Sequence, residues 1–252
     1  MKNTITIFNY LTNVHLDFSL LAYKGLLKCG NDHVRHQKLT LSKNLEIANP
    51  VDRQWLEKTI DPEQSVMFLD TDRKGWLESE VDGKGGSGGL INKLEATIVE
   101  KVVLALLICG VKSSSIGVIT PFRSQVSLFP CICSACSLVQ FVPSNSKSVP
   151  CANPSAQLRV LNDNPSLQGL EMCTIDRFQG RDKPAIIVSL VRSNSDGKAG
   201  RLLQDFRRLN VAFSRAKEKL VIVGSFATLR RGSDVLRLVL DSLQERRCLC
   251  RL

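Results

Sequence analysis

The stretch that decides the fold runs from Leu170 to Val191 and reads LEMCTIDRFQGRDKPAIIVSLV. Both ends are apolar: residues 170–175 lead in as one strand and residues 185–191 lead out as another. Short, continuous apolar runs suit strands that are covered on both faces. Between them, DRFQGRDK crowds acids, bases, an amide and a single glycine into one connection. Gly180 permits a positive φ or a close approach of the backbone to a ligand. Asp182 is placed to accept from a ribose hydroxyl, Gln179 to bond a phosphate or a base, and Arg181 and Lys183 add positive charge. An ordinary turn, with Gly180 for geometry and Asp182 as a cap, is the plain alternative for this stretch alone.

Working outward, the same kind of strand recurs at VMFLD (66–70), IGVIT (116–120) and KLVIVG (219–224). Asn92 opens a helix in which Leu94, Ile98, Val102 and Leu106 recur at four-residue steps. Pro121 stops the strand before it, because proline cannot continue a ladder. A polar loop, RSNSDGKAG, precedes a helix expected over about Leu202 to Lys217, and a final helix begins near Ser233. Strands alternating with helices predict an α/β fold: a mostly parallel sheet with helices on both faces. Ligands of such sheets gather at the carboxyl ends of strands, so the polar segments after residues 120, 175 and 191 are site candidates on topology.

The remaining segments read differently. Residues 1–64 are weakly periodic, and DGKGGSGG (82–89) is a glycine-rich loop. Residues 128–163 are rich in Pro, Ser and Asn without a clean period, and read as an irregular insertion. The divisions expected are an N-terminal edge over 1–64, a main domain over 65–230 and a C-terminal helix and tail over 231–252.

The bulk numbers set limits. The 252 residues are 43% hydrophobic, enough for a packed core, and carry a formal net charge of +10. That excess favours a polyanionic partner, nucleic acid first. Nine cysteines are present, but their spacing is not that of a disulfide framework. Cys131, Cys133, Cys136 and Cys151 cluster loosely, without the paired spacing of a zinc site, so no metal site is expected. The longest apolar run, Val102 to Val111, is far short of a membrane span. No membrane partner and a soluble, intracellular chain with reduced thiols are the expectation.

The expected helix at 202–217 is the second informative stretch. Leu202, Phe206, Leu209, Phe213 and Ala216 form its apolar stripe. Arg208 and Arg215, seven residues apart, share another face. Two arginines on one face can grip a phosphate through charge-assisted hydrogen bonds; a solvated basic face is the commoner meaning of any such pair.

Taken together, these stretches match an ordered set. TIDRFQGRDKPAIIVSLVRSN followed by RRLNVAFSRAKEKLVIVG resembles motifs V and VI of superfamily 1 helicases, and IGVITPFRSQ resembles their motif IV. The branch is the Upf-like one. Within it, LLAYKGLLKCGNDHV (20–34), VMFLDTD (66–72) and the wording around 178–194 are most similar to the eukaryotic DNA replication helicase/nucleases, of which the chain resembles a C-terminal piece. The resemblance implies a RecA-like (P-loop NTPase-type) fold, specifically the second helicase domain. It implies ATP with Mg²⁺ held jointly with a first RecA-like domain, and single-stranded DNA lying along the top of both. Arg215 matches the arginine finger of motif VI, and Asp182 matches the motif V acid near the ribose. Gly180 matches the close-approach glycine, with Gln179 beside it, and Arg208 joins the nucleotide set. Thr120, Pro121 and Thr174 match positions near the DNA backbone, and Arg123 is a further phosphate contact. The partners implied are single-stranded DNA and the first RecA-like and nuclease domains; the location implied is nuclear, with mitochondria open.

Departures from the pattern limit what this chain does alone. Its Gly-Lys pairs, Gly83-Lys84 and Gly197-Lys198, are followed by Gly and Ala, so it contains no phosphate loop. It contains no Glu-x-Lys nuclease triplet, and the family's iron–sulfur cluster is not expected here. NYLTN stands where the family has Gln-Tyr-Arg-Met, with Leu11 in place of an arginine that reaches the nucleotide; Ser214 replaces a usual Thr. The expectation is an ATP-dependent DNA helicase domain that is inactive in isolation. A non-catalytic nucleic-acid-binding fragment and an Upf-like RNA helicase are the alternatives.

Overall fold

The computed structural model describes residues 50–61, 64–75, 78–81, 89–128 and 169–252. The stretches at 20–34 and 82–88, the Tyr10–Leu11 departure, the insertion from residue 129 onward and the Cys131–Cys151 cluster lie outside the described residues.

The chain runs α1 (Pro50–Ile60), β1 (Val66–Asp70), β2 (Ser79–Val81), β3 (Gly89–Ile91), α2 (Lys93–Ile108), β4 (Ile116–Thr120) and a helical turn at 123–128. After residue 169 come β5 (Glu171–Thr174), a 3-10 turn (Ile175–Phe178), β6 (Lys183–Ser189), α3 (Arg201–Gln204) and α4 (Phe206–Phe213). β7 (Ala216–Gly224), α5 (Phe226–Gly232), α6 (Asp234–Glu245) and β8 (Leu249–Arg251) complete it. Six strands form one sheet in the order β5-β4-β6-β7-β1-β8, every neighbour parallel. β2 and β3 form a separate antiparallel pair.

The sheet divides two cores. On one face, α1 and α2 bring Trp55, Leu56, Val99 and Val102 against Met67, Val118 and Ile187. On the other, α4, α5 and α6 bring Phe213, Leu229 and Leu240 against Phe68, Ile186 and Ile222. Alternate residues of each strand therefore face opposite cores, both apolar, which is why the strands read as unbroken hydrophobic runs. The RecA-like α/β expectation holds. Strands 66–70 and 116–120 stand where the sequence placed them, and Asn92 caps α2 by accepting from the Glu95 amide.

Local physics shifts several boundaries. The helix expected from Leu202 to Lys217 is two helices, because Asp205 ends α3 and caps α4 by accepting from the Arg207 amide. α4 stops at Phe213, and β7 begins at Ala216, three residues before the apolar run. The charged Lys217–Lys219 run belongs to a strand because Lys219 is fully buried and its Nζ donates to the carbonyls of Asp61 and Gln64. Of the residues expected to line the inner stripe of α2, Ile98, Val102 and Leu106 are buried, whereas Leu94 is 39% exposed. In the first turn its place under the fold is taken by Glu95. The hairpin β2–β3, the helices α1 and α5 and the edge strand β8 were not legible as elements in the sequence.

Candidate functional site

The loop after β5 crosses the sheet from edge to edge. Thr174 is the last residue of β5 and pairs in register with Thr120, the last residue of β4, so both lie at the carboxyl edge. Lys183 begins β6 below the level of Ile116, and its amide donates to the carbonyl of Arg215 just ahead of β7, at the amino edge. Residues 175–182 must therefore run back over β4. Phe178 anchors that crossing on the second core and is fully buried. It rests on Gly117, where a Cβ would lie 2.7 Å from the Phe178 ring and 2.8 Å from Ile186. Gly117 is thus a close-approach glycine, a role the sequence did not reveal. The sequence placed the whole polar loop at a strand's carboxyl end; only its first half is there.

At the amino edge, Asp182 Oδ1 accepts from Arg215 Nη1 at 2.7 Å. The same guanidinium donates to the Val211 carbonyl at 3.2 Å and to Ser214 Oγ at 3.2 Å. Its side chain is 22% exposed and that of Asp182 44%, so the pair is open to solvent and to a ligand. Gly180 adopts φ +78° with nothing within 4 Å of where a Cβ would stand. Glycine is needed there for conformation, and the space above it is open to an incoming group. Gln179 closes the 3-10 turn and is exposed. Arg181 and Lys183 both pair with Glu171, at 3.4 and 3.0 Å.

Arg208 is elsewhere. Its guanidinium faces Asp176 at 3.3 Å and Asp205 at 3.8 Å. Arg215 lies beyond the end of α4, about 10 Å further along the helix direction at roughly 1.5 Å per residue. The expected two-arginine grip on one helix face is therefore split into two ion pairs. Asp176–Arg208 and Asp182–Arg215 fasten the crossing loop to α4 and to the residue beyond its end.

At the carboxyl edge, Thr120 is buried and its Oγ1 accepts from the Phe122 amide at 3.4 Å. Pro121 is half-buried, and Arg123, at the start of the helical turn, is exposed. The structure thus brings Thr120, Pro121, Arg123 and Thr174 to one edge and Gly180, Asp182 and Arg215 to the other. The carboxyl edge also holds a cleft of about 310 Å³ beside Asp72, Asn194, Ser195, Thr228 and Arg231. Its polar side chains are largely spent on one another: Asp72 accepts from Ser225 Oγ and the Ala227 amide, and Thr228 Oγ1 donates to the Asn194 carbonyl.

A six-stranded all-parallel sheet with helices on both faces is the α/β fold of a RecA-like helicase domain. The family described as "AAA domain" matches residues 16–227, and the chain belongs to that family. It is similar to the DNA replication ATP-dependent helicase/nuclease DNA2 of Xenopus laevis, with 34% identity over 225 residues, covering 87% of this chain and 18% of the relative. The Schizosaccharomyces pombe protein of that name is 36% identical over 225 residues, covering 88% of this chain and 14% of the relative. For the Homo sapiens protein the identity is 34% over 218 residues, covering 83% and 17%. The chain therefore spans less than a fifth of the length of these curated relatives.

Proposed function

We propose that this chain is the second RecA-like domain of an ATP-dependent DNA helicase/nuclease of replication and repair, acting in the nucleus. Its amino edge supplies the arginine finger Arg215 and its carboxyl edge part of a single-stranded DNA track. The observation that carries the reading is the Asp182–Arg215 pair, solvent-open, beside the open face of Gly180.

The chemistry follows from what these groups can exchange. An exposed ion pair of this kind is worth only about 0–1 kcal/mol, so a competing ligand displaces it readily. A ribose hydroxyl donates to the Asp182 carboxylate, and the Arg215 guanidinium is released to a γ-phosphoryl group. Charge that develops on that group in transfer is met by a fixed bidentate cation. Gly180 leaves room for the nucleotide, and Gln179 offers it an amide. Arg208, held by Asp176 and Asp205, contributes to this end by keeping the loop docked on α4.

ATP requires Mg²⁺ for this chemistry, and the donor set here does not suit the ion. Two carboxylates at the amino edge, Glu171 and Asp182, each face a cation already, and these two leave no free oxygen pair beside Arg215 for the ion. The chain's share of the site is anion-holding, and the phosphate loop and metal ligands belong to a first RecA-like domain. The family's iron–sulfur cluster likewise belongs to the nuclease domain. At the carboxyl edge, Thr174, Pro121 and Arg123 meet the DNA backbone, with the buried Thr120 bracing the rung beside Thr174 by holding the Phe122 amide, and backbone contacts of this kind need no base sequence.

The test is ATP turnover. The isolated chain is expected to show none, because an arginine finger accelerates transfer only where nucleotide and metal are already positioned. Turnover by the chain alone that Arg215→Ala abolishes refutes this division of labour. Binding of an oligothymidylate that weakens steeply with added salt is expected of the carboxyl edge.

A further inference from the structure

β4 and β6 are neighbours whose chains leave the sheet on opposite faces. The turn at 123–128 sends Leu128 to the α1–α2 core, whereas α3 and α4 follow β6 onto the other. Such a parting opens a crevice at the carboxyl ends of the two strands. Here the crevice is filled by side chains of α2 and its cap. The Asn92 amide donates to Gln125 Oε1 at 2.8 Å, and Gln125 Nε2 donates back to the Asn92 carbonyl at 3.0 Å and to Ser189 Oγ at 3.3 Å. Ser189 Oγ donates to Glu95 Oε2 at 2.7 Å, and the Val191 amide donates to the same oxygen at 2.9 Å. Asn92 Nδ2 completes the ring by donating to the Val191 carbonyl at 3.2 Å. Asn92, Glu95, Gln125, Ser189 and Val191 are all buried.

The network holds a strained residue. Val191 has φ 69°, in the left-handed region that a β-branched side chain disfavours. A conformation of this kind persists only where the surroundings over-determine it. Both polar groups of the Val191 peptide flanks are taken by the network, the amide by Glu95 and the carbonyl by Asn92. Directly after the strained residue come Arg192, Ser193 and Asn194, pinned from the far side by Glu78. On the other side of the network, Gln125 lies two residues from Arg123.

We propose that Glu95 is a positioning residue: with Asn92 and Gln125 it locks the 190–194 loop and the helical turn bearing Arg123 into one unit, so that the two walls of the strand track keep their spacing. This rests on the reading of the carboxyl edge as a single-strand track. Glu95 touches no DNA strand itself; it acts through the backbone of Val191 and through the Ser189 hydroxyl that Gln125 shares. A carboxyl group that merely fills the first turn of α2 has no reason to take the amide of a residue nearly a hundred positions away, nor to share a hydroxyl with the motif IV turn.

The test uses the full chain with two readouts: hydrogen exchange resolved by segment, and anisotropy of a labelled oligothymidylate. Glu95→Ala is expected to speed exchange at both 123–126 and 191–194 by about tenfold or more while β1 and β7 keep their protection. It is expected to weaken strand binding about fivefold, and Glu95→Gln, which retains an acceptor for Ser189 and Val191, to restore both readouts. Gln125→Leu, from the opposite side of the network, is expected to loosen the same two segments, which covers the case in which Glu95→Ala fails to fold. Loosening spread over β1 and β7, loosening of one segment only, failure of the Gln rescue, or undiminished strand binding with both segments loose overturns the proposal. Failure of the wild-type chain to bind the oligonucleotide, with the exchange results intact, sinks the strand-track reading and leaves the lock standing.

Discussion

The two edges of the one sheet are held together by opposite means. At the carboxyl edge the fastening is buried: Glu95, Asn92, Gln125 and Ser189 form a closed ring of hydrogen bonds under the 190–194 loop. At the amino edge it is exposed: Asp182–Arg215 and Glu171 with Arg181 and Lys183 are ion pairs within reach of water. Buried polar networks are costly to break, because every severed group stays desolvated. Exposed ion pairs exchange partners at little cost. In the proposed function this contrast is the working principle. A track that meets a moving polymer keeps its shape, while a nucleotide edge trades an internal partner for a phosphoryl group in each cycle.

The sharpest way to break the comparison is at Arg215. In a polypeptide joining this chain to a phosphate-loop domain, Arg215→Ala should lower ATP turnover by about 10³–10⁵-fold. Single-strand binding measured in parallel should change by less than about twofold, since the guanidinium lies at the other edge. A matching loss of strand binding would show that the edges are not separable.

Next in size is the residue that links them. Phe178 is fully buried over Gly117 in the middle of the crossing loop. Phe178→Ala should cost about 3–5 kcal/mol in urea unfolding, and should loosen Thr174 and Asp182 together in hydrogen exchange. Loosening of one end alone would mean that the ion pairs to α4, not the ring, hold the crossing.

Acidity probes the carboxyl edge from beneath. Burial pushes the Glu95 carboxyl up to about 8, against the hydrogen bonds from Ser189 and Val191, and burial pushes Glu100 up to about 7. A carboxyl whose folded value is raised keeps a proton that the unfolded chain has released. Stability from these groups is therefore fullest below about 4.5, the value of an unperturbed carboxyl, and falls as pH rises through 7 to 8. Within that window Glu95 alone should remove on the order of 1 kcal/mol per pH unit. Melting at pH 5 and pH 8 checks this, and Glu95→Gln should reduce the difference, leaving the share of Glu100.

The smallest effect expected is at the rim of the track. Arg123 is exposed, so Arg123→Ala should weaken oligothymidylate binding by only a few-fold and reduce the salt dependence by about one counterion. An unchanged salt slope would remove Arg123 from the track.

Much of the fold was legible in advance. VMFLD and IGVIT could be bounded to the residue because each is apolar on both sides and stopped by a polar or proline signal. Asn92 could be named as a cap because its side-chain chemistry is local. The region from Leu202 to Lys217 was misread as one helix because a break within it and an early strand start were both missed. Asp205 looked like one acid on a helix, yet it starts a new one. Ala216 and Lys217 were read as the end of that helix, yet they begin β7, where the ammonium of Lys219 is consumed by carbonyls of the α1–β1 connection. Arg208 and Arg215 shared a face only on the assumption of an unbroken helix.

The sequence by itself determined the layering and the parallel strands, because periodicity and caps are local. Only the tertiary structure decided which edge each residue occupies. TIDRFQGRDK is one continuous loop in sequence, but Phe178 lays it across the sheet over Gly117, so Thr174 and Asp182 emerge at opposite ends. The contacts of Glu95 were equally hidden. Its partners Ser189 and Val191 lie more than ninety residues away, and no local pattern encodes a hydrogen bond closed by the packing of a helix on a sheet.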